Sequence, residues 1–188
     1  VLLVLLSAMA FASSKNIRYV NISQFDVYDG LVGNKVTQTG QDDEGFMWFG
    51  THSGLSRFDS QDFVNYKQDT LSAKSLPSNE ISLFHIANNE MWISLNDVGL
   101  ARFDIETGQF TMVPVNSGQA NGIEHPVVFA LSSDDDGNTW VFQFDHGISV
   151  YEQDAQSFTH YNRENTDWLT SVRFFDAKTA ANGHIWAV

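Results

Sequence analysis

The sequence predicts an all-β protein built from the four-stranded blades of a β-propeller. Three observations carry this reading. Trp48, Trp92, Trp140 and Trp186 recur at intervals of 44, 48 and 46 residues. The first three tryptophans are each followed, in one order, by a glycine–aliphatic pair, an aromatic–acid pair and a further aromatic. Turn-forming residues interrupt the apolar segments roughly every 8 to 12 positions, the spacing of short strands. No long segment shows the apolar period of a helix. A unit of about 45 residues with about four short strands has the size of one propeller blade.

The chain opens with "VLLVLLSAMAFASS", an apolar run that ends in small residues. It is too short to span a bilayer. Ala8-Met9-Ala10 and Ala10-Phe11-Ala12 each offer the small-x-small pattern of signal cleavage, so 1–12 reads as part of a secretory signal. The mature chain then starts near Ser13. The stretch "IRYVNISQF" alternates apolar and polar residues, and 13–25 reads as an N-terminal strand that closes the last blade of a ring. Three blades follow, over 26–70, 71–115 and 116–161, with part of a fourth over 162–188.

Within each unit the elements come in a fixed order. A connector leads in: Leu31-Val32-Gly33-Asn34, Leu76-Pro77-Ser78-Asn79 or Ile123-Glu124-His125-Pro126. The first strand starts at Val36, Ile81, Val127 and Val172 in the four units. A polar turn follows: Asp42-Asp43-Glu44-Gly45, Asn88-Asn89-Glu90, Asp134-Asp135-Asp136-Gly137-Asn138 or Ala181-Asn182-Gly183. The second strand carries the tryptophan. In the first unit the third strand is Leu55-Ser56-Arg57-Phe58 and the fourth is Phe63-Val64-Asn65-Tyr66. A blade cannot bury both faces alone, so Trp48, Trp92, Trp140 and Trp186 are expected to fill the space between stacked sheets as the structural repeat core. Trp168 is off this register.

The 188 residues suffice for one sizeable core. A formal net charge of −13 argues against nucleic acid and anionic membrane surfaces as partners. With no cysteine, disulfides, thiolate zinc sites and cysteine nucleophiles are excluded.

The acidic turns invite a calcium reading, because Asp134, Asp136, Asn138 and Asp145 imitate part of a calcium loop. Thr139 stands where that loop needs glycine, and Asp145 replaces its bidentate Glu. The turn also drifts in composition between units, which favours a hairpin that needs Asn, Asp and Gly. No metal site is expected. Ser53 precedes a glycine but lacks the strained Gly-x-Ser-x-Gly elbow. Histidines 52, 85, 125, 146, 160 and 184 show no metal-ligand spacing. No catalytic residue and no cofactor are expected. Arg57 and Arg102 recur at one repeat position and read as structural partners of Asp59, Asp104 or a neighbouring blade.

Propeller ligands gather at one mouth of the central channel, where the connectors and the loops between second and third strands meet. The connectors supply Asn34, Asn79 and His125 as candidate ligand-binding residues. The loops supply Thr51, His52, Asn96, Asp97, Asp145 and His146.

"DDEGFMWFGTHSGLSRFD", "NNEMWISLNDVGLARFD" and the connector "SLPSNEI" resemble the two-component regulator propeller repeat. The match weakens in the third unit, where Val141-Phe142-Gln143-Phe144 replaces the usual Ile-Gly-Thr run. The resemblance implies the N-terminal part of a membrane signalling receptor with a periplasmic ligand-sensing propeller. It implies a transmembrane helix and a cytoplasmic output module beyond these residues, either a histidine kinase of a two-component system or a diguanylate cyclase. A seven-bladed ring of that kind needs about 320 residues at this period. The implied ligand is a small molecule or an oligosaccharide, and the full receptor is compatible with a homodimer. The competing readings are a secreted propeller lyase or hydrolase and a protein-interaction scaffold.

Overall fold

The computed structural model describes residues 23–72, 75–96, 98–116 and 119–188. The leader and most of the expected N-terminal strand lie outside the described residues. No helix among the described residues is long and apolar enough to cross a membrane.

Among the described residues, fourteen strands form three complete antiparallel sheets and a two-stranded remnant. The first blade holds β1 (Val36–Gln41), β2 (Met47–Thr51), β3 (Gly54–Phe58) and β4 (Phe63–Tyr66). The second holds β5 (Ile81–Ala87), β6 (Glu90–Leu95), β7 (Gly99–Asp104) and β8 (Gln109–Met112). The third holds β9 (Val128–Ser133), β10 (Thr139–Gln143), β11 (Gly147–Glu152) and β12 (Ser157–Tyr161). The fourth contributes β13 (Ala177–Thr179) and β14 (Ile185–Ala187). Each complete sheet runs in chain order, and the first strands of successive blades lie beside one another along the channel.

The registers superimpose the repeats. Trp48 pairs Gly40 and Arg57, Trp92 pairs His85 and Arg102, Trp140 pairs Ser132 and Val150, and Trp186 pairs Lys178. Trp48 and Trp92 are fully buried between consecutive sheets. Trp48 meets Phe103 of the second blade edge-on at 5.7 Å, and Trp92 meets Tyr151 of the third at 5.0 Å. Trp140 is half-buried. The connector aliphatics Leu31, Leu76, Ile123 and Leu169 are all buried. Side-chain amide pairing also joins the first strands. Gln38 donates from Nε2 to Phe84 O at 2.6 Å and accepts from Phe84 N at 3.1 Å. Gly40 and Gly50 leave room for that seam. A Cβ on Gly40 would lie 2.8 Å from the Phe84 ring, and one on Gly50 would lie 2.9 Å from Ile81 Cγ2.

The acids of the first turn have a structural use. Asp42 Oδ1 accepts from Glu44 N and Phe46 N, closing the hairpin, while Oδ2 accepts from Trp48 Nε1 at 2.7 Å. Asp134 repeats the arrangement with Asp136 N, Asn138 N and Trp140 Nε1. In the second blade the hairpin is shorter. Asn88 and Asn89 both take positive φ, at 53° and 60°, as a two-residue primed turn requires. Asp134 is thus engaged by turn amides and an indole, so the melting curves with added calcium and with chelator are expected to coincide. A calcium-dependent rise of more than a few degrees would contradict this, since a specific ion stabilises by mass action.

Two expectations are corrected. Trp186 is 70% exposed rather than core. No further sheet covers its face among the described residues, and Ala180 stands where Asp42 and Asp134 hold the indoles, as the matching turn bonds show. The fourth unit's first strand starts at Ala177 rather than Val172. Val172 and Phe174 instead pack against the third-blade core, which takes this segment out of strand pairing.

The recurrent arginines also resolve. Arg102 donates to Glu90 Oε1 and to Tyr151 Oη of the next blade at 3.0 Å, while its guanidinium covers the Trp92 ring. Its partner is therefore Glu90 and the neighbouring blade, not Asp104, which accepts from Thr107 N in its own turn. Arg57 lies 4.5 Å from the centre of the Phe46 ring.

Candidate ligand site at the channel mouth

Antiparallel order places every connector and every loop between second and third strands at one end of the propeller. The backbone closes this end. His52 N donates to Lys35 O, Asn96 N to Glu80 O and Phe144 N to Val127 O. In all three blades the first strand is also irregular near its start, between Val36 and Gln38, between Ile81 and Leu83, and opposite Phe142 and Gln143. Such bulges re-aim side chains and concentrate beside functional sites. In the third blade the skipped residue is Phe129, because Val128 pairs Gln143 and Ala130 pairs Phe142.

The sequence-derived candidates divide sharply. Thr51 is fully buried, with its hydroxyl donating to Gly54 O and accepting from Ser53 N, so it builds the turn. Asn34 accepts from Val27 N and Asn79 from Gln68 N, each tying down a connector. Asn96 donates to Glu80 Oε2 at 3.2 Å. His52 is half-buried on the first-blade loop. Asp97 lies outside the described residues.

His125, Asp145 and His146 come together in the third blade. The imidazoles of His125 and His146 stack with centroids 4.5 Å apart and planes at 21°. Asp145 adopts φ 54°, a left-handed conformation that Asp tolerates better than most residues. Its carboxylate pairs with Arg173 through Nε at 2.5 Å and Nη2 at 3.0 Å. The hydrogen bond from Arg173 holds the Asp145 carboxyl below its ordinary range. Partial burial, reinforced by His146, lowers the His125 imidazole. Gln143 is fully buried and fixes the connector by donating to His125 O at 2.8 Å. Ser149 in turn donates to Gln143 Oε1 and contacts His160 Nδ1 at 2.9 Å.

Several residues at this mouth were not singled out by sequence reasoning. A cavity of about 690 Å³ is lined by Glu124, Asp145, His146, Asn162, Arg163, Glu164 and Val172. Beside it runs a continuous aromatic surface. His125 lies 6.2 Å from Phe144, Phe144 lies 5.5 Å from Phe129, and Phe129 lies 5.8 Å from Phe175. Phe144 is 40% exposed and Phe175 72%. The one available signal was that Val141-Phe142-Gln143-Phe144 breaks the repeat pattern, putting an aromatic in the loop. Apolar ring faces flanked by two arginines and three carboxylates suit a ligand with flat apolar faces and polar edges.

Residues 30–53 match the model of the two component regulator propeller. These residues carry the two component regulator propeller repeat. Among solved structures, this chain resembles the extracellular domain of a protein named as a hybrid two component system of B. thetaiotaomicron. The TM-score is 0.75 and the identity 26%, over 88% of this chain and 23% of that one. A second B. thetaiotaomicron extracellular domain, named as part of a one component system, matches with TM-score 0.63 and 20% identity, over 87% and 21% of the two chains. Virginiamycin B lyase of Staphylococcus aureus matches with TM-score 0.60 and 13% identity, over 82% and 48%, which shows the shared fold alone. This chain thus spans less than a quarter of the first two structures. A search of the curated proteins by sequence found no match.

Proposed function

We propose that this chain belongs to the ligand-sensing propeller of an extracytoplasmic signal-transduction receptor. The observation that carries the reading is the 26% identity, over 88% of this chain, with an extracellular domain named as part of a hybrid two component system. In this reading the 1–12 leader directs export to the periplasm and further blades complete the ring. A membrane-spanning segment then connects to a histidine kinase or diguanylate cyclase output. The ligand is a small molecule or oligosaccharide seated at the third-blade mouth. Phe144 and Phe175 meet its ring faces, while Arg163 and the carboxylates around it meet its polar edges.

The test is a thermal-shift screen of oligosaccharides and other small polar molecules against the receptor's extracytoplasmic region. A true ligand raises the melting temperature through mass action. Phe175→Ala and Arg163→Ala are expected to abolish the rise and to leave the unliganded melt within about 0.5 kcal/mol of wild type, since both side chains are exposed. A ligand whose shift survives both substitutions would overturn the placement of the site. Chemical turnover of a bound molecule would overturn the sensor reading in favour of a propeller enzyme.

A further inference from the structure

The stacked histidines have fixed proton positions. Val127 N donates to His125 Nδ1 at 3.2 Å, so Nδ1 carries no proton and the neutral ring holds its hydrogen on Nε2. His146 Nδ1 lies 2.7 Å from Phe144 O, which can only accept, so here Nδ1 carries the proton. Neither Nε2 meets a hydrogen-bond partner among the described residues.

The pair therefore takes up protons unequally. A first proton can enter at His146 Nε2 with every hydrogen bond kept. A second can enter only at His125 Nδ1. That step removes the acceptor from Val127 N and sets two imidazolium cations face to face at stacking distance. The surrounding charges are mixed. Asp145, Glu124 and Glu164 attract protons to the mouth, while Arg163 and Arg173 oppose them. His160 reaches the His125 carbonyl only through Ser149 and Gln143.

We propose that the His125–His146 stack is an acid-sensitive latch on the channel mouth, and this rests on the mouth being the ligand face. When His125 takes its proton, the stack opens, the connector at 124–127 loses the Val127 N–His125 Nδ1 bond while keeping the one from Gln143, and Phe144 loses the ring that backs it. Ligand capture is strong near neutral pH and weakens on acidification. The sign follows from the unequal uptake. The closed form binds fewer protons than the open form, so closure is fully favoured above the ordinary histidine range, near 6.5, and is lost as the pH falls below it.

The test is a nuclear magnetic resonance titration of the histidines in the intact chain, followed with the Val127 amide. In wild type, His125 is expected to titrate below an ordinary histidine. Val127 exchange, corrected for its intrinsic pH dependence, should rise about tenfold per pH unit below about pH 6.5, as one-proton opening requires. His146→Phe keeps a stacking ring without its charge, so the His125 titration should move up towards the ordinary value. His146→Ala removes the stack and should leave Val127 exposed to exchange even at neutral pH. The proposal is overturned if the two imidazoles titrate independently, or if Val127 stays protected down to about pH 5. These readouts need no ligand. The latch can fail while the mouth remains the ligand face, and the thermal-shift variants Phe175→Ala and Arg163→Ala decide that question separately.

Discussion

Asp42→Ala should destabilise the propeller by about 3–5 kcal/mol, a loss visible as a large drop in the melting temperature. Asp42 is 8% exposed, and its carboxylate receives two turn amides and the Trp48 indole. Truncation leaves the indole N–H of a fully buried tryptophan without its acceptor. Asp42→Asn retains one oxygen for the turn amides but can set an NH2 against the indole, so its cost should be smaller, about 1–3 kcal/mol. A double-mutant cycle with Trp48→Phe separates the terms, because Phe has no donor to orphan. Coupling near zero would show that the carboxylate closes the turn without holding the tryptophan. Asp134 gives an independent check by pH. Burial pushes its carboxyl up, but donation from Trp140, Asn138 and Asp136 outweighs burial and holds it below the ordinary range. A lowered carboxyl contributes stability that is present above the ordinary value, near 3.9, and is lost as the pH falls through the lowered one. Asp134→Asn should flatten that acid limb.

The same residues show what a sequence can and cannot disclose. Tryptophan spacing, glycine–aliphatic pairs and turn composition were legible because each recurs at a fixed register, and the sheet pairs them at that register in every complete blade. The role of the turn acids was half legible. Drift to Asn88-Asn89-Glu90 and to Ala181-Asn182-Gly183 argued for a hairpin, yet the bond that Asp42 accepts from an indole six residues away is set by how the hairpin folds back. Trp186 carries the periodic signal without the burial, because burial belongs to the neighbouring sheet and not to the residue. At the mouth, repetition gives no help. Phe129 reaches the aromatic surface through a bulge, Arg173 reaches Asp145 across 28 positions, and Phe175 lies in a connector with irregular backbone. Asn34, Asn79, Asn96 and Thr51 looked like ligand groups because they are polar and near the right end. Their hydrogen bonds are taken by the connectors and turns that hold the mouth in shape.

Trp92→Ala should cost about 3–5 kcal/mol, a large part of the 5–15 kcal/mol that stabilises a typical domain. The indole is 1% exposed and fills the seam between the second and third blades. Tyr151 lies 5.0 Å from it and Phe158 6.1 Å, both from the third blade. Truncation removes this transfer energy and leaves a cavity, because the flanking strands are held by their own ladders and cannot collapse into it. It also unseats Arg102, whose guanidinium lies over both the Trp92 and Tyr151 rings. Arg102 then keeps Glu90 and Tyr151 but loses one of the two ring faces that flank its charge. Stacked repeats are stabilised by nearest-neighbour contacts, so the damage should concentrate at one seam. Hydrogen exchange is expected to show early opening between the second and third blades, with the seam around Trp48 retained longer. Trp168 supplies the control. It is 63% exposed and off the repeat register, so Trp168→Ala should stay within about 0.5 kcal/mol of wild type. If Trp92→Ala melted with wild type, the inter-blade seam would have to draw its stability from the connector aliphatics and the first-strand polar bonds. In that case Ile123→Ala, which deletes the buried connector plug of the same seam, should be the variant that unfolds the chain.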